Sequence, residues 1–360
     1  DSPDHLLVSA LLAELEMAGV RDQDITLLCG VGMHRPSTQE EKVIKLGQAI
    51  VDRYRVADHE PLNQTGLKDL GSTENGIPLS VNKIACEADL LIATGIVEPH
   101  QYAGYSGGRK TPAIGAGGEQ MIAYTHGPQM VDHPGTRLGN IEDNPFHQAI
   151  TEAARRAGLS FILNVVQDNH KRAVSILAGE PEVTFEELVK VAKQLYEVPI
   201  PQQYDVAVAG VGFPKDTNIY QASRAASQLF FAPLSVVKEG GIFIVPAPTE
   251  EGAGQGFAER CFLETMRSAV NMDSLLAELR RTGYPPGGQR AFIMAKVLEK
   301  TRVIIAGTVT PDVVRQLHMT PAADMDEAFR IAVAKVGRHD LNVLIVEQAL
   351  LTLPVANPDI

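Results

Sequence analysis

Apolar residues recur along the first part of the chain with two alternating periods. Residues 6–17 are apolar at helical spacing and residues 25–30 form a short apolar run, which together predict a helix followed by a buried strand. Residues 40–54 again have helical spacing, and residues 81–87 predict a short helix. The near-continuous apolar run at 89–97 predicts a strand in a sheet covered on both faces. Alternation of this kind is typical of an α/β fold.

The alternation continues through the middle of the chain. Asn144 precedes a proline and caps a predicted helix at 145–157. A strand is predicted at 160–166 and a long helix at 185–196. The polar stretch at 198–203 contains two prolines and is the predicted domain boundary.

A second α/β series follows that boundary. Its predicted strands are residues 205–209, 241–245, 303–306 and 342–346. We therefore expect an α/β protein of two α/β domains with an active-site cleft between them. We expect residues 1–200 to form the N-terminal catalytic and cofactor-binding domain, with its first segment missing, and residues 201–360 to form the C-terminal domain. A last strand that returns to the first domain is an open alternative.

Composition narrows the function classes. The chain has 360 residues, 44% of them hydrophobic. This length exceeds what one hydrophobic core usually organises, so two domains are expected. Its net charge of −12, without any Lys/Arg-rich run, argues against nucleic acid and favours small-molecule partners. The longest apolar runs are of strand length, so no membrane association is expected. The 3 cysteines form no CxxC pair, which favours a reducing cytoplasm.

The densest chemical signal is the segment EPHQYAGYSGGRK at 98–110, directly after a predicted strand. Ligands of α/β proteins bind at the carboxyl ends of strands. Its glycines let backbone N–H groups approach an anion, and its Arg109 and Lys110 add positive charge, so the loop is a candidate phosphate cradle. The alternative is a Gly-rich turn with a solvated Arg-Lys pair.

Two histidines follow separate strands. His34 lies just past the strand at 25–30, and His100 lies just past the strand at 89–97. In one parallel sheet both would face the same crevice, where two imidazoles can act as opposed general acid and base. A third histidine, His126, follows a predicted helix at 118–124, and the spacing does not decide whether it meets other metal ligands.

The second domain contributes the segment NIYQASRAA at 218–226, a predicted helix start. Tyr220 and Arg224 are four residues apart and share a helix face, and Arg224 can pair with a carboxylate through two hydrogen bonds. An ordinary exposed arginine is the alternative. The Gly-rich run at 250–257 follows a strand and is expected to line the cleft.

In this order, these segments resemble the lactate racemase family of nickel-pincer enzymes. The resemblance rests on five motifs: GMHRPST at 32–38, NKIACEADLLIATG at 82–95, EPHQYAGYSGGRK at 98–110, YTH at 124–126 and NIYQ at 218–221. It covers nearly the whole chain. The combination is far more specific than any one motif.

The resemblance implies a racemase or epimerase of a 2-hydroxy acid, an isomerase that moves a hydride on and off a tethered nickel-pincer nucleotide. That cofactor is a pyridinium-3,5-bisthiocarboxylate mononucleotide with nickel, so enzymes of cofactor biosynthesis are implied partners. The resemblance also implies a role for each matched residue. His34 and His100 match the two catalytic histidines of the family. Lys110 matches the lysine that tethers the cofactor, His126 matches the nickel ligand, and Ser106, Gly107 and Gly108 match the cofactor-binding loop. Tyr220 matches a residue beside cofactor and substrate, and Gln221 and Arg224 match the substrate-binding positions.

Two departures from the family are visible. The family has an upstream Asp-x-Thr-Arg-Pro motif, and from the matched segments we expect this chain to begin just after it. The lactate enzyme has a lysine where this chain has Arg224, and a guanidinium changes reach and hydrogen-bond geometry. We therefore expect a substrate other than lactate. A nicotinamide-dependent dehydrogenase and a non-catalytic nickel or nucleotide carrier are the alternative functions.

Overall fold

The computed structural model describes residues 2–284 and 288–357. They form two compact units. The first contains the chain up to His126 together with His133–Thr136 and Asn140–Leu195. The second contains Gly127–Asp132, Arg137–Gly139 and the chain from Tyr196 onwards. Assignment of residues 1–200 and 201–360 to two domains stays a prediction.

Helices and strands alternate in the N-terminal half of the chain. The helices are α1 (Asp4–Met17), α2 (Gln39–Leu46), α3 (Gln48–Arg53), α4 (Lys83–Cys86), α5 (Glu119–Thr125), α6 (Pro128–Asp132), α7 (Pro145–Arg156) and α8 (Pro181–Tyr196). The strands are β1 (Thr26–Cys29), β2 (Arg55–Asp58), β3 (Leu67–Ser72), β4 (Pro78–Asn82), β5 (Leu91–Ile96), β6 (Pro99–His100), β7 (Gly104–Tyr105), β8 (Leu159–Gln167) and β9 (Ala173–Gly179).

The first unit is built around β8, the central strand of a three-stranded sheet in which β5 is parallel and β9 antiparallel to it. Helix α1 packs on this sheet through Leu7, which contacts Leu163 and Val165. Its other apolar positions, including Val8 and Leu12, join a separate cluster with β1, α2 and α3. The helical spacing of the N-terminal segment therefore reflects two buried contacts of a single helix.

Three expectations for this half are wrong in detail. The helix predicted at 40–54 is two helices, because Gly47 adopts φ 91° and ψ 146°, a conformation outside the helical region that glycine alone adopts readily. The helix predicted at 81–87 is reduced to α4, because residues 78–82 pair with β3 as strand β4. The predicted two-sided burial fits β8 better than β5, which lies at the sheet edge and is only half-buried.

The remaining elements form the C-terminal half. The helices are α9 (Ile219–Ala222), α10 (Arg224–Phe230), α11 (Phe257–Ser268), α12 (Met272–Thr282), α13 (Gln289–Lys300), α14 (Pro311–Gln316) and α15 (Met325–Val336). The strands are β10 (Glu197–Ile200), β11 (Tyr204–Ala209), β12 (Val237–Pro246), β13 (Arg302–Ala306), β14 (Thr320–Ala322), β15 (Val343–Val346) and β16 (Leu353–Ala356).

The second unit contains a parallel five-stranded sheet in the order β14-β13-β12-β11-β15. All four strands predicted for this region are confirmed. Phe243 and Ile244 of β12 are fully buried, as expected for a strand covered on both faces. Strand β16 pairs in parallel with β10. The loop at the carboxyl end of β11 leads into α9 and α10, which carry the candidate residues of the second unit.

Candidate active site

The loop between β5 and Lys110 is a tight, internally bonded turn. Ser106 donates its hydroxyl to the carbonyl of Ile96 (2.8 Å) and accepts from the amide of Glu98 (3.2 Å), which ties the loop back to its own strand. Residues 99–100 and 104–105 pair as a short antiparallel hairpin. The backbone of the loop is thereby fixed before any ligand is considered.

The glycines of this loop are required by close packing. Gly107 has φ 82°, and a Cβ there would lie 2.6 Å from the side-chain oxygen of Asn164. The amide of Gly108 donates to the same oxygen (2.7 Å). The predicted cofactor-binding role of Ser106, Gly107 and Gly108 stays a prediction. The hydroxyl of Ser106 and the amide of Gly108 already have partners within the protein. The alternative of a solvated Arg-Lys pair is wrong for Arg109, because its side chain is buried.

His100 is half-buried at the end of β6. Its Nδ1 accepts hydrogen bonds from the backbone amides of Tyr102 (3.2 Å) and Ala103 (3.1 Å). These two donors fix the tautomer, since a neutral ring that accepts at Nδ1 carries its proton on Nε2. His100 is therefore oriented by the backbone as a donor through Nε2.

His126 has the opposite tautomer. It caps the carboxyl end of α5, and its Nδ1 lies 2.9 Å from the carbonyl of Ile122, to which it donates. The lone pair of the neutral ring then lies on Nε2. Burial, reinforced by the positive charge of Lys110 and opposed by the bond to Ile122, lowers the pKa of His126 to about 4. A neutral imidazole anchored through its other N–H is the form in which histidine ligates metals.

Two aromatic residues bring these histidines together. The ring of His100 lies 5.8 Å from that of Tyr102 and 6.2 Å from that of Phe146. The ring of His126 lies 5.5 Å from Tyr102 and 5.1 Å from Phe146. Asn144 caps α7 and donates to the carbonyl of Tyr102 (2.8 Å), so the first turn of that helix supports the cluster. We refer to His100, Tyr102, His126 and Phe146 as the ring cluster.

Lys110 belongs to the same neighbourhood. It caps a short turn of π-helix at Thr111–Gly115, and its charge acts on His126. Burial lowers the pKa of Lys110, the positive charge of Arg109 lowers it further, and Glu98 opposes both. A lowered pKa raises the fraction of neutral amine, which is the nucleophilic form of lysine.

The loop that carries His34 is not placed in the way that the sequence predicts. Strands β1 and β5 belong to separate sheets, so the argument from one shared sheet edge is wrong. The loop of His34 is instead bonded to the segment after Lys110, because the amide of Gly32 donates to the carbonyl of Gly115 (2.8 Å). The His34 ring is exposed, and the ring contacts found among residues 2–284 and 288–357 do not include it.

The second unit arranges its candidate residues around the start of α9. Asn218 caps this helix by accepting from the amide of Gln221 (2.9 Å). Arg224 is exposed and donates to the side-chain oxygen of Gln221 (3.2 Å). The Gly-rich run at 250–257 packs on the same helix start, since the amide of Ile219 donates to Gly252 (2.8 Å).

Tyr220 is held by residues that the sequence analysis missed. Its ring lies 5.7 Å from that of Phe262, and the guanidinium carbon of Arg290 lies 5.9 Å from its centroid. Burial raises the pKa of Tyr220, while the charges of Arg290 and Arg224 oppose that shift. Neither Phe262 nor Arg290 is near Tyr220 in sequence, and no local pattern marks them.

The described part of the chain contains no group of three or more His, Cys, Asp or Glu side chains placed to bind a metal ion. It also contains no helix long and apolar enough to cross a membrane.

Comparison with known proteins gives concordant matches along the chain. The model of the lactate racemase N-terminal domain matches residues 1–139, and that of the lactate racemase C-terminal domain matches residues 201–351. The lactate racemase of Lactiplantibacillus plantarum is 33% identical over 344 residues, which cover 93% of this chain and 78% of that protein. That of Thermoanaerobacterium thermosaccharolyticum is 32% identical over 345 residues, covering 95% and 79%.

Solved structures agree with these matches. The structure of the lactate racemase apoprotein from Thermoanaerobacterium thermosaccharolyticum has a TM-score of 0.88 at 28% identity, and the match covers 98% of this chain and 83% of that one. A crystal structure of a Thermotoga maritima protein has a TM-score of 0.70 at 21% identity, covering 99% and 91%. The second likeness shows the fold alone.

Proposed function

Because this chain belongs to the lactate racemase family and is thus an isomerase of the racemase type, we propose that it inverts a 2-hydroxy acid with a nickel-pincer nucleotide held by Lys110 and His126. The observation that carries the proposal is the convergence of His100 and His126 in one ring cluster, with the charge of Lys110 acting on His126.

The residues of the first unit fit such a group. His126 offers a neutral Nε2 lone pair, because its Nδ1 donates to Ile122 and its pKa is lowered to about 4. Lys110 offers an amine whose pKa is lowered, which favours formation of a covalent bond to the group. When bound, that group supplies reversible acceptance of hydride from the substrate carbon.

The protein's own contribution is proton transfer at the substrate hydroxyl, which we assign to His34 and His100. Two bases are needed because the reaction runs from either enantiomer. In the resting ring Nε2 of His100 carries the proton, since its Nδ1 accepts from two backbone amides. Before Nε2 can take the hydroxyl proton, the ring must move its own proton to Nδ1 and release those amides. The resulting imidazolium is the acid that returns a proton from Nε2 in the reverse direction.

The proposal predicts the fate of the hydrogen on C2. Incubation of a single enantiomer deuterated at C2 with cofactor-loaded enzyme in ordinary water should give the mirror-image acid with deuterium retained, because the hydrogen leaves and returns as hydride. Chiral chromatography with mass spectrometry measures both properties at once. Racemisation with loss of deuterium to solvent indicates removal of C2 hydrogen as a proton and contradicts the proposal.

Arg224 bears on which 2-hydroxy acid is used. It is exposed, and its described hydrogen bond goes to the neutral oxygen of Gln221 rather than to a carboxylate. A planar guanidinium that is not paired with a protein carboxylate suits a carboxylate of the substrate. We propose that Tyr220, Gln221 and Arg224 face the cofactor and substrate, and that the preferred substrate is not lactate.

A substrate panel tests the role of Arg224. Single enantiomers of lactate, 2-hydroxybutyrate, malate and phenyllactate are compared by kcat/KM in the unmodified enzyme and in Arg224→Lys. We expect a preferred acid other than lactate, and a shift of the preference order towards lactate in the variant. Arg281→Lys, which changes another exposed arginine of the second unit, serves as the control. Lactate as best substrate with an unchanged order in Arg224→Lys contradicts this assignment.

We also propose that the enzyme works in the cytoplasm and depends on the enzymes that make its cofactor. The free thiols of Cys29, Cys86 and Cys261 support a reducing compartment.

A further inference from the structure

Arg109 precedes Lys110, yet its side chain turns into the protein. It is 2% exposed. Its Nε donates to the hydroxyl of Thr151 (3.1 Å) and an Nη nitrogen donates to Nδ1 of His147. Its guanidinium carbon lies 3.5 Å from the ring centroid of Phe185. One side chain thus joins the Lys110 turn to both α7 and α8.

This cation is not placed for stability alone. The second Nη nitrogen of Arg109 is buried and has no hydrogen-bond partner among the described residues. The carboxylates of Glu182 and Glu186 act on its charge, but no hydrogen bond of Arg109 to a carboxylate is found in the described part of the chain. Burial lowers the pKa of Arg109 to about 9. Burying a cation without a bonded carboxylate is costly, and an apolar side chain of similar volume would avoid that cost.

The contacts of Arg109 require its particular shape. Two edges of the planar group donate to neighbours one helical turn apart on α7, while its face stacks on Phe185. Burial and the charge of Arg109 lower the pKa of His147 to about 3, so that ring is neutral and accepts. A lysine at position 109 would keep the charge but could neither bridge both acceptors nor stack in the same way.

Helix α7 connects this arrangement to the ring cluster. Phe146 contacts His126 at 5.1 Å between ring centroids, and the next residue, His147, accepts from Arg109. One turn of α7 therefore contacts both His126 and Arg109, the residue next to Lys110.

We propose that Arg109 is the positioning residue for Lys110: by clamping the turn to α7 and α8, it holds the lysine amine in a fixed place relative to His126. This inference rests on the proposed function, which gives that amine its covalent role. The lowered pKa of Lys110 agrees with it, since burial is the largest cause and the charge of Arg109 adds to it.

The test uses Arg109→Met, which keeps apolar volume, and Arg109→Lys, which keeps charge. In protein co-expressed with the cofactor-making enzymes, we expect the fraction carrying an adduct on Lys110 to fall at least about tenfold in both variants, since small misplacements of a reacting group cost that much. In protein without cofactor, trace acetylation of Lys110 is followed against pH by peptide mass spectrometry, with the exposed Lys83 as internal reference. The half-labelling pH of Lys110 should rise towards that of Lys83.

Matched substitutions separate positioning from stability. Arg137 also stacks on a phenylalanine, at 5.5 Å from Phe231 in the second unit, so Arg137→Met and Arg137→Lys are controls that should leave Lys110 loading and labelling unchanged. Thr151→Val removes one acceptor of Arg109 with little change of shape, and provides a milder variant if Arg109→Met does not fold.

The loading of Lys110 and its labelling profile distinguish failure of the positioning role from failure of the proposed function. Normal loading together with an unchanged labelling profile in folded Arg109 variants overturns the positioning role. An unmodified protein that forms no adduct on Lys110 overturns the tether of the proposed function, and in that case the labelling profile alone decides the role of Arg109.

Discussion

Lys110→Ala should abolish both the covalent adduct and racemase activity while the protein stays folded. Lys110 is the amine whose pKa is lowered by burial beside His126, and the proposed function makes it the point of attachment. Its removal takes away a half-buried cation, so the free energy of unfolding should change little. Intact-protein mass spectrometry measures the adduct, and thermal unfolding followed by circular dichroism measures the fold.

A second substitution separates the role of the Lys110 amine as nucleophile from the effect of its positive charge. Lys110→Arg keeps the positive charge next to His126 but has no amine that can lose its proton at neutral pH, so it should also lack the adduct. Lys83→Ala, at an exposed lysine, should load normally. An adduct of cofactor mass that persists in Lys110→Ala excludes Lys110 as the tether.

Much of the fold could be predicted from the sequence because of the sheets it contains. The parts of strands that are buried, such as residues 206–209 of β11 and 242–245 of β12, form uninterrupted apolar runs in the sequence. The break between α2 and α3 could not be predicted, because the helical spacing continues on both sides of Gly47 and only its backbone conformation reveals the kink. The spacing of apolar residues shows which face of a helix is buried, but it does not show where a glycine ends the helix.

The site divides in the same way. The segment carrying His100 and Lys110 was found because its residue types follow a strand, which is a local property of the sequence. The ring cluster cannot be predicted from the sequence, because it depends on Phe146. This residue lies in a helix 46 residues after His100 and is fully buried. The inward turn of Arg109 was likewise hidden, because sequence neighbours in a tight loop can face solvent or core, and only the packing of α7 and α8 decides which.

Replacement of either His34 or His100, the histidines proposed as acid and base, should reduce turnover at least about 100-fold, as is typical for loss of an acid or base. The reduction alone does not prove a two-base mechanism. Enantiomers have equal free energy in water, so any variant must lower kcat/KM by the same factor in both directions. The informative measurement is therefore the half-reaction, in which one enantiomer is oxidised to its 2-oxo acid in a single turnover.

In that half-reaction the two variants should show opposite preferences. His34→Ala should still form 2-oxo acid from one enantiomer, and His100→Ala only from the other, because each variant retains the base for one face of the substrate. Rapid quench followed by derivatisation of the 2-oxo acid measures the yield from each enantiomer. His170→Ala, at an exposed histidine, should behave like the unmodified enzyme.

Because His100 must release two backbone amides before its Nε2 can act as base, the enantiomer that depends on it should be oxidised more slowly in the unmodified enzyme as well. Oxidation of the same single enantiomer by both variants, or near-normal turnover in either, is incompatible with His34 and His100 as opposed bases.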